Sequence, residues 1–180
     1  MKIAFSWRGS TSHVRDWRRS TALYLWNPLF AIPDTEWHSL DVQDDASALL
    51  APFGWPNVVD HSKDIRDFKD SAAIVESCDL VITVDTATLH LAGALGIPTW
   101  ALVYSPPEWR WGLSGERTPW YAALHLYRQP RPDDWESVFK IIAFDLRCLT
   151  AHPSMVGDPL RVLPRGGVSG CRAAAITEHI

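Results

Sequence analysis

Three residues near the middle of the chain have the types and spacing that suit phosphate binding. Asp85 and Thr86 directly follow an apolar run, and His90 comes four residues after Thr86. A helix that begins at Thr86 offers unpaired N–H groups and a partial positive charge to an anion. His90 then lies on the same helix face, where it can donate to a diphosphate or a sugar hydroxyl. Alternatively, Asp85 or Thr86 only caps the helix and His90 only packs.

Other catalytic motifs are missing from the sequence. It has no GxGxxG after the first apolar run, no GxxxxGK[ST], no GxSxG and no HExxH, so it lacks the signatures of nicotinamide, P-loop, serine-hydrolase and zinc-peptidase sites. Asp44-Asp45 and Asp133-Asp134 are acidic pairs next to predicted helix starts. Helix capping explains both pairs better than the paired-carboxylate chemistry of a glycosidase.

The elements that must position Thr86 are the clearest in the chain. Residues 79–85 (DLVITVD) form a continuous, β-branched apolar run, which is typical of a central strand buried on both faces of a parallel sheet. A helix over residues 86–95 should follow and end at Gly96 and Pro98. Residues 99–104 (TWALVY) predict the next buried strand.

The rest of the chain repeats this alternation. Further strands are predicted over residues 3–7, 37–42, 57–60 and 123–127. Helices are predicted over 21–30 with Ser20 as the cap, from Asp44 or Asp45 through 51, from Asp67 or Asp70 through 77, and over 135–149. Residues 9–19 are polar and basic and predict a loop. The pattern predicts an α/β fold, a Rossmann-like parallel sheet with helices on both faces. Residues 150–180 have no sustained period and predict a poorly ordered tail.

Composition narrows the class of protein. The chain has 180 residues, is 47% hydrophobic and carries a net charge of −4, which indicates one domain and disfavours nucleic acid as a partner. Three cysteines without a CxxC pair indicate reduced thiols and no metal site. We expect no signal peptide, no membrane span and a cytoplasmic location. The ten tryptophans either fill the core or line a cleft or an interaction face.

Several motifs together resemble a known family. The segment from Asp85 to Pro98 (DTATLHLAGALGIP) looks like the donor-site motif of glycosyltransferase family 9, the heptosyltransferase family. It is closer still to the glycosyltransferase-like region that follows tetratricopeptide repeats in many bacterial proteins. Further matches, which extend the resemblance over residues 2–149, occur at Trp7-x-Gly9, Arg19-Ser20, Asp67-Phe68-x-Asp70-Ser71-Ala72-Ala73, Trp109-Arg110-Trp111, Pro119-Trp120-Tyr121, Arg128-Gln129-Pro130 and Asp134-Trp135.

The resemblance implies the C-terminal half of a GT-B glycosyltransferase, the half that binds the nucleotide diphosphate sugar. No cofactor and no metal are implied. The catalytic base is expected in an acceptor domain, so no catalytic residue is assigned here, and an acceptor domain or tetratricopeptide repeats are expected as upstream partners. Residues 1–149 would form the donor-binding domain.

The same resemblance assigns roles around the donor. Thr86 and the helix start would hold the diphosphate, and His90 would donate to the phosphate or the sugar. Asp85 would orient the loop or contact the donor, or only cap the helix. Arg19 would neutralise the leaving diphosphate, unless it is an ordinary surface arginine. Gly9 and Ser10 would bring backbone close to the ligand, or form an ordinary turn. Trp7 would wall the pocket or end a core strand. Arg110 would face the cleft or stack on a neighbouring indole.

Two alternatives to an active transferase stay open. The chain could bind a nucleotide sugar without turning it over, or it could be an interaction module that pairs an apolar face with another polypeptide. A tryptophan-rich exposed face would favour the interaction module.

Overall fold

Six short segments form one parallel sheet. The protein is described by a computed structural model that covers residues 1–151. Its strands are β1 (Lys2–Ser6), β2 (Glu36–Ser39), β3 (Val58–Asp60), β4 (Leu80–Val84), β5 (Thr99–Val103) and β6 (Leu124–Arg128). All neighbours are parallel and the order is β3-β2-β1-β4-β5-β6. This is the strand order of a Rossmann-like sheet, and the predicted α/β class is confirmed.

In the described part of the chain, five helices lie in the connections between these strands, and a sixth follows β6. They are α1 (Asp16–Arg19), α2 (Asn27–Phe30), α3 (Ala46–Leu50), α4 (Phe68–Glu76), α5 (Ala87–Leu95) and α6 (Trp135–Ala151). Single 3-10 turns occupy Leu23–Trp26, Ala51–Phe53 and Trp109–Trp111. Thr86 precedes α5 as its N-cap residue, and Gly96 ends α5 with a φ of 71°, a conformation that costs glycine little.

The first crossover differs from its prediction. A single helix over residues 21–30 was expected, but the structure has the turn Leu23–Trp26 followed by α2. Pro28 lies within this segment and has no N–H, so it cannot donate to the helical ladder at that point. Ser20 caps no helix start. It follows α1 instead, and its hydroxyl donates to Asp16 Oδ2 at 2.7 Å.

Alternate residues of the central strands pack on opposite faces of the sheet. Phe5, Ile82 and Leu102 belong to a core that includes α6 and the first crossover. Val81 and Ala101 belong to two smaller cores on the other face, where α4 and α5 lie. Burial on both faces is the reason that β4 and β5 read as continuous apolar runs.

Two further predictions concern the C-terminal tail and membrane-spanning helices. Thr150 and Ala151, where the tail was predicted to begin, are the last residues of α6, and the remainder of that tail lies outside the described residues. Within residues 1–151 no helix is both long enough and apolar enough to cross a membrane.

Candidate functional site

The candidate site lies where the strand order changes direction. β1 and β4 are neighbours, but the chain leaves them toward opposite sides of the sheet. The connections that follow two such strands separate and leave a crevice at the carboxyl edge. The segment after β1 carries Trp7, Gly9, Ser10 and Arg19, and the segment after β4 carries Asp85, Thr86 and His90.

Arg19 joins the two segments. Its Nη1 donates to the backbone oxygen of Asp85 at 2.9 Å, and its Nε pairs with Asp16 Oδ1 at 2.9 Å. The guanidinium is largely covered, with 18% of the side chain exposed. Arg19 therefore already serves a structural contact at the crevice, and its predicted role toward a diphosphate stays a prediction.

Gly9 is necessary for this junction. A Cβ at position 9 would collide with Asp16 Oδ1 and with the guanidinium of Arg19. The backbone N–H of Gly9 donates to Ser20 Oγ at 2.9 Å, and its carbonyl accepts from Gln43 Nε2 at 2.9 Å. The lack of a side chain at Gly9 thus lets the backbone lie close to the Arg19–Asp16 pair.

Asp85 is buried and held by an aromatic donor. Its side chain accepts a hydrogen bond from the indole N–H of Trp111 at 2.9 Å. The loop that carries Trp111 is itself fastened by Arg128, whose guanidinium donates to the backbone oxygens of Trp111, Gly112, Ser114 and Gly115. The position of Asp85 therefore depends on Arg128 at the end of β6, through Trp111, as well as on β4, which Asp85 directly follows.

The first turn of α5 has no side-chain cap. Thr86 is extended, and its hydroxyl lies 3.4 Å from Thr83 Oγ1 and from the backbone oxygen of Val84, without bonding to the helix amides. α4 differs, because the Asp67 carboxylate accepts from Lys69 N at 2.7 Å and from Asp70 N at 3.2 Å. Leu89 N bonds to the backbone oxygen of Thr86 at 3.1 Å, so within residues 1–151 the amides of Ala87 and Thr88 are the ones left for a ligand or for water.

His90 lies one turn into α5, between two aromatic side chains. Its Nδ1 is 3.1 Å from the hydroxyl of Tyr121. Its ring stacks near that of Trp111, with centroids 5.7 Å apart and planes 24° apart. Because Trp111 also holds Asp85, the structure brings together Asp85, Thr86, His90 and Arg19 at one place.

The other predicted residues are not drawn into this cluster. Trp7 is 2% exposed and belongs to the core, as expected for the end of a core strand. Ser10 is exposed and shares a hydrogen bond with Ser12. Arg110 stacks over Trp109 at 4.8 Å and pairs with Glu108 at 2.8 Å, which matches the packing alternative.

Arg15 and Arg18, which were not among the predicted site residues, lie near the crevice. Burial and the carboxylates of Asp85 and Glu108 raise the pKa of the Tyr104 phenol, while Arg18 and Arg15 act in the opposite direction. Within residues 1–151 neither Arg15 nor Arg18 forms an ion pair. Both follow β1 in the basic stretch, so their charge was visible in the sequence even though their place was not.

An ion-pair network beside the crevice was also missed. The Arg8 guanidinium contacts Asp41, and it pairs with Asp45 at 2.6 Å. Burial disfavours the charge on Arg8, but the hydrogen bonds to Asp45 and Asp41 outweigh it, so the pKa of Arg8 is raised. Arg8 and Asp41 each follow one of two adjacent strands, and this placement is the sequence signal for the pair.

Two cavities lie away from this cluster. Each has a volume of about 410 Å³, and both lie between α6 and the segment that begins at Ala22. Tyr24, Leu25 and Glu136 line both of them. None of the predicted site residues lines either cavity.

Comparison with known proteins corrects the family prediction. The chain is 27% identical to Protein FlbA of Caulobacter vibrioides over 157 residues. The match covers 83% of this chain and 26% of FlbA, so the chain spans about a quarter of that protein's length. No family model matches the chain. Membership in glycosyltransferase family 9, or in the glycosyltransferase-like region that follows tetratricopeptide repeats, was therefore a wrong prediction. A buried strand that leads into an open helix start is a property of the fold and identifies no family.

Proposed function

We propose that this chain binds a nucleotide diphosphate sugar at the carboxyl edge of its sheet. The observation that carries the proposal is the uncapped start of α5 at the crevice between β1 and β4. Backbone amides at a helix start favour phosphate oxygens through both hydrogen bonds and the helix dipole. Arg15 and Arg18 add positive charge near the same edge.

The diphosphate and the sugar of such a ligand would contact different residues. The diphosphate meets the amides of α5 and the hydroxyl of Thr86, which has no bond to those amides. His90 supplies a donor to a phosphate or sugar oxygen one turn further along. Asp85, already bonded to Trp111, keeps a second carboxylate oxygen for a hydroxyl group.

Glycosyl transfer is proposed for a longer assembly. The chain would act there as the donor-binding half of a GT-B architecture, with acceptor and base supplied by another domain. Stabilisation of the departing diphosphate would come from the α5 amides, Thr86 and His90. Alone, the chain would hold the nucleotide sugar without turning it over.

A proline substitution tests the role of the α5 amides directly. Ala87 is exposed and is the first residue of α5, and Thr86 before it is extended with a φ of −135° and a ψ of 178°. Proline is tolerated at this position and after such a residue, and it removes only one N–H. We expect Ala87→Pro to fold and to bind UDP, GDP or ADP about tenfold more weakly by titration calorimetry, because a charge-assisted hydrogen bond is lost.

The chain offers a matched control at the start of α4. Phe68 is also exposed and also first in its helix, after the extended Asp67. Phe68→Pro should leave the affinity unchanged. Equal affinities for Ala87→Pro and the parent protein, or no binding of any of the three nucleotides, would refute the proposal.

An interaction module is the second candidate. Trp17, Trp109 and Trp120 are 65%, 68% and 55% exposed, and exposed aromatic surface is typical of protein contacts. Trp109 and Trp120 contact each other with centroids 5.6 Å apart. Failure of all three nucleotides to bind in the titration would favour this candidate.

A further inference from the structure

Tyr121 reaches His90 from a distant part of the chain. It lies in the crossover between β5 and β6, and its hydroxyl is 3.1 Å from Nδ1 of His90. The approach depends on Gly93, which lies three residues after His90 on the same face of α5. A Cβ at position 93 would lie 2.6 Å from Cγ of the Tyr121 ring.

The chemistry of the two groups sets the direction of their hydrogen bond. A phenol is a good donor and a weak acceptor, while the unprotonated imidazole nitrogen is a good acceptor. The Tyr121 hydroxyl therefore donates to Nδ1 of His90. A neutral imidazole has one N–H, so the hydrogen lies on Nε2, and the bond at one nitrogen fixes the state of the other.

The ring is also fixed in orientation. Trp111 stacks near one face of His90, and the Trp111 indole is held by Asp85. Within residues 1–151 no hydrogen bond uses Nε2 of His90. The imidazole is thus oriented by two aromatic neighbours while its Nε2–H is left for another partner.

We propose that Tyr121 is a positioning residue that holds His90 in the Nε2–H tautomer, so that His90 presents a donor to an anionic oxygen. The choice of a phosphate oxygen as its partner rests on the proposed function. The tautomer itself does not, because it is a property of the protein without ligand.

Nitrogen NMR of the ligand-free protein tests the tautomer. Spectra are recorded about two pH units above the ordinary histidine pKa of ~6.5, and the His90 signals are identified by their loss in His90→Gln. We expect Nε2 to carry the hydrogen in the parent protein. In Tyr121→Phe the Nδ1 and Nε2 shifts should move toward those of an unconstrained imidazole, which exchanges between both tautomers.

Two further variants separate positioning from general damage. Gly93→Ala keeps the hydroxyl but displaces the ring, and it should shift the His90 signals in the same direction. Tyr24→Phe removes a hydroxyl from an exposed tyrosine lining the two cavities, and it should leave the His90 signals in place. A parent protein with the hydrogen on Nδ1, or His90 signals unchanged in the folded Tyr121→Phe or Gly93→Ala variant, would overturn the proposal.

The ligand part is tested separately with UDP. Loss of a fixed donor should weaken UDP binding by about threefold to tenfold in Tyr121→Phe. A parent protein that shows the Nε2–H tautomer but binds none of UDP, GDP and ADP would refute the proposed function and leave the tautomer assignment intact.

Discussion

At the scale of single residues, the buried carboxylate of Asp85 depends on an aromatic partner. Asp85 is 9% exposed, and Trp111 donates to it from an indole that is itself buried. A buried carboxylate that loses a donor has a high desolvation cost, since water does not replace the lost bond there. The Trp111 indole therefore stabilises both the fold and the geometry of the crevice.

A pair of tryptophan variants tests this dependence. Trp111→Phe keeps an aromatic ring but removes the N–H, and we expect a loss of about 1–3 kcal/mol in unfolding free energy. Trp109→Phe, two residues away and exposed, should change it by less than about 0.5 kcal/mol. Urea denaturation of both variants gives the comparison. Equal losses would show that the indole bond to Asp85 does not carry this energy.

The two kinds of site residue differ in how far the sequence reveals them. Asp85, Thr86 and His90 follow a recognisable strand within six positions, so local spacing indicates them. Trp111 and Tyr121 come from a crossover loop, and no local pattern links them to His90. Their contacts depend on how that loop crosses α5, which only the folded chain determines.

At the scale of elements, a histidine pair connects β2 to the edge strand β3. Nδ1 of His38 lies 2.9 Å from Nε2 of His61, and the two rings are nearly parallel. Glu36 lies 3.0 Å from His38, and Asp64 lies 3.2 Å from His61. The short contact between the rings requires that at least one of the two facing nitrogens is unprotonated.

This pair should make stability fall in acid. Burial lowers the pKa of His38 below 6.5, and the neighbouring His61 and Lys2 add to this while Glu36 opposes it. Below about pH 6.5 the unfolded chain binds a proton that the folded chain does not, so the unfolding free energy decreases as pH falls toward the folded pKa. Above about pH 6.5 His38 is neutral in both states, so the stability lost in acid is fully present there.

Urea denaturation between about pH 5 and pH 7.5 measures the effect. His38→Asn should flatten the pH dependence, whereas His13→Asn, at an exposed histidine, should leave it unchanged. A parent protein and a His38→Asn variant with the same pH dependence would contradict the assignment.

The strands were more predictable than the first crossover. β4 and β5 lie within one residue of their predicted ends because burial on both faces leaves a continuous apolar run. α1 was missed because none of its residues is buried, so it has no apolar period to detect. The division at α2 follows from Pro28, whose backbone effect outweighs the helical spacing of Leu23, Trp26 and Phe30.

At the scale of the whole molecule, the two faces of the sheet are built differently. One face is rich in large aromatic side chains, among them Phe5, Trp26, Phe30, Trp37 and Phe139. The other packs smaller residues, such as Ala4, Val81, Ala92 and Ala101. Six of the ten tryptophans are buried, at positions 7, 26, 37, 100, 111 and 135, so core filling accounts for most of them.

The aromatic face should be sensitive to truncation. Phe139 on α6 is 3% exposed and packs against Trp26 with ring centroids 5.2 Å apart. Phe139→Ala should lower the unfolding free energy by about 3–5 kcal/mol, through lost burial and a remaining cavity. Its exposed neighbour gives the control, because Lys140→Ala should cost less than about 0.5 kcal/mol. A loss below about 1 kcal/mol for Phe139→Ala would mean that α6 closes this face only loosely.

The contacts of Arg128 link the outer strand β6 to the crevice. Arg128 lies at the end of the edge strand β6, yet its four carbonyl contacts hold the loop that delivers Trp111 to Asp85. Fraying of that outer strand would therefore loosen the crevice two strands away. By thermodynamic reciprocity, a ligand that binds the ordered crevice more tightly must also stabilise β6 against fraying. Conversely, anything that stabilises β6 should increase the affinity of the crevice for that ligand.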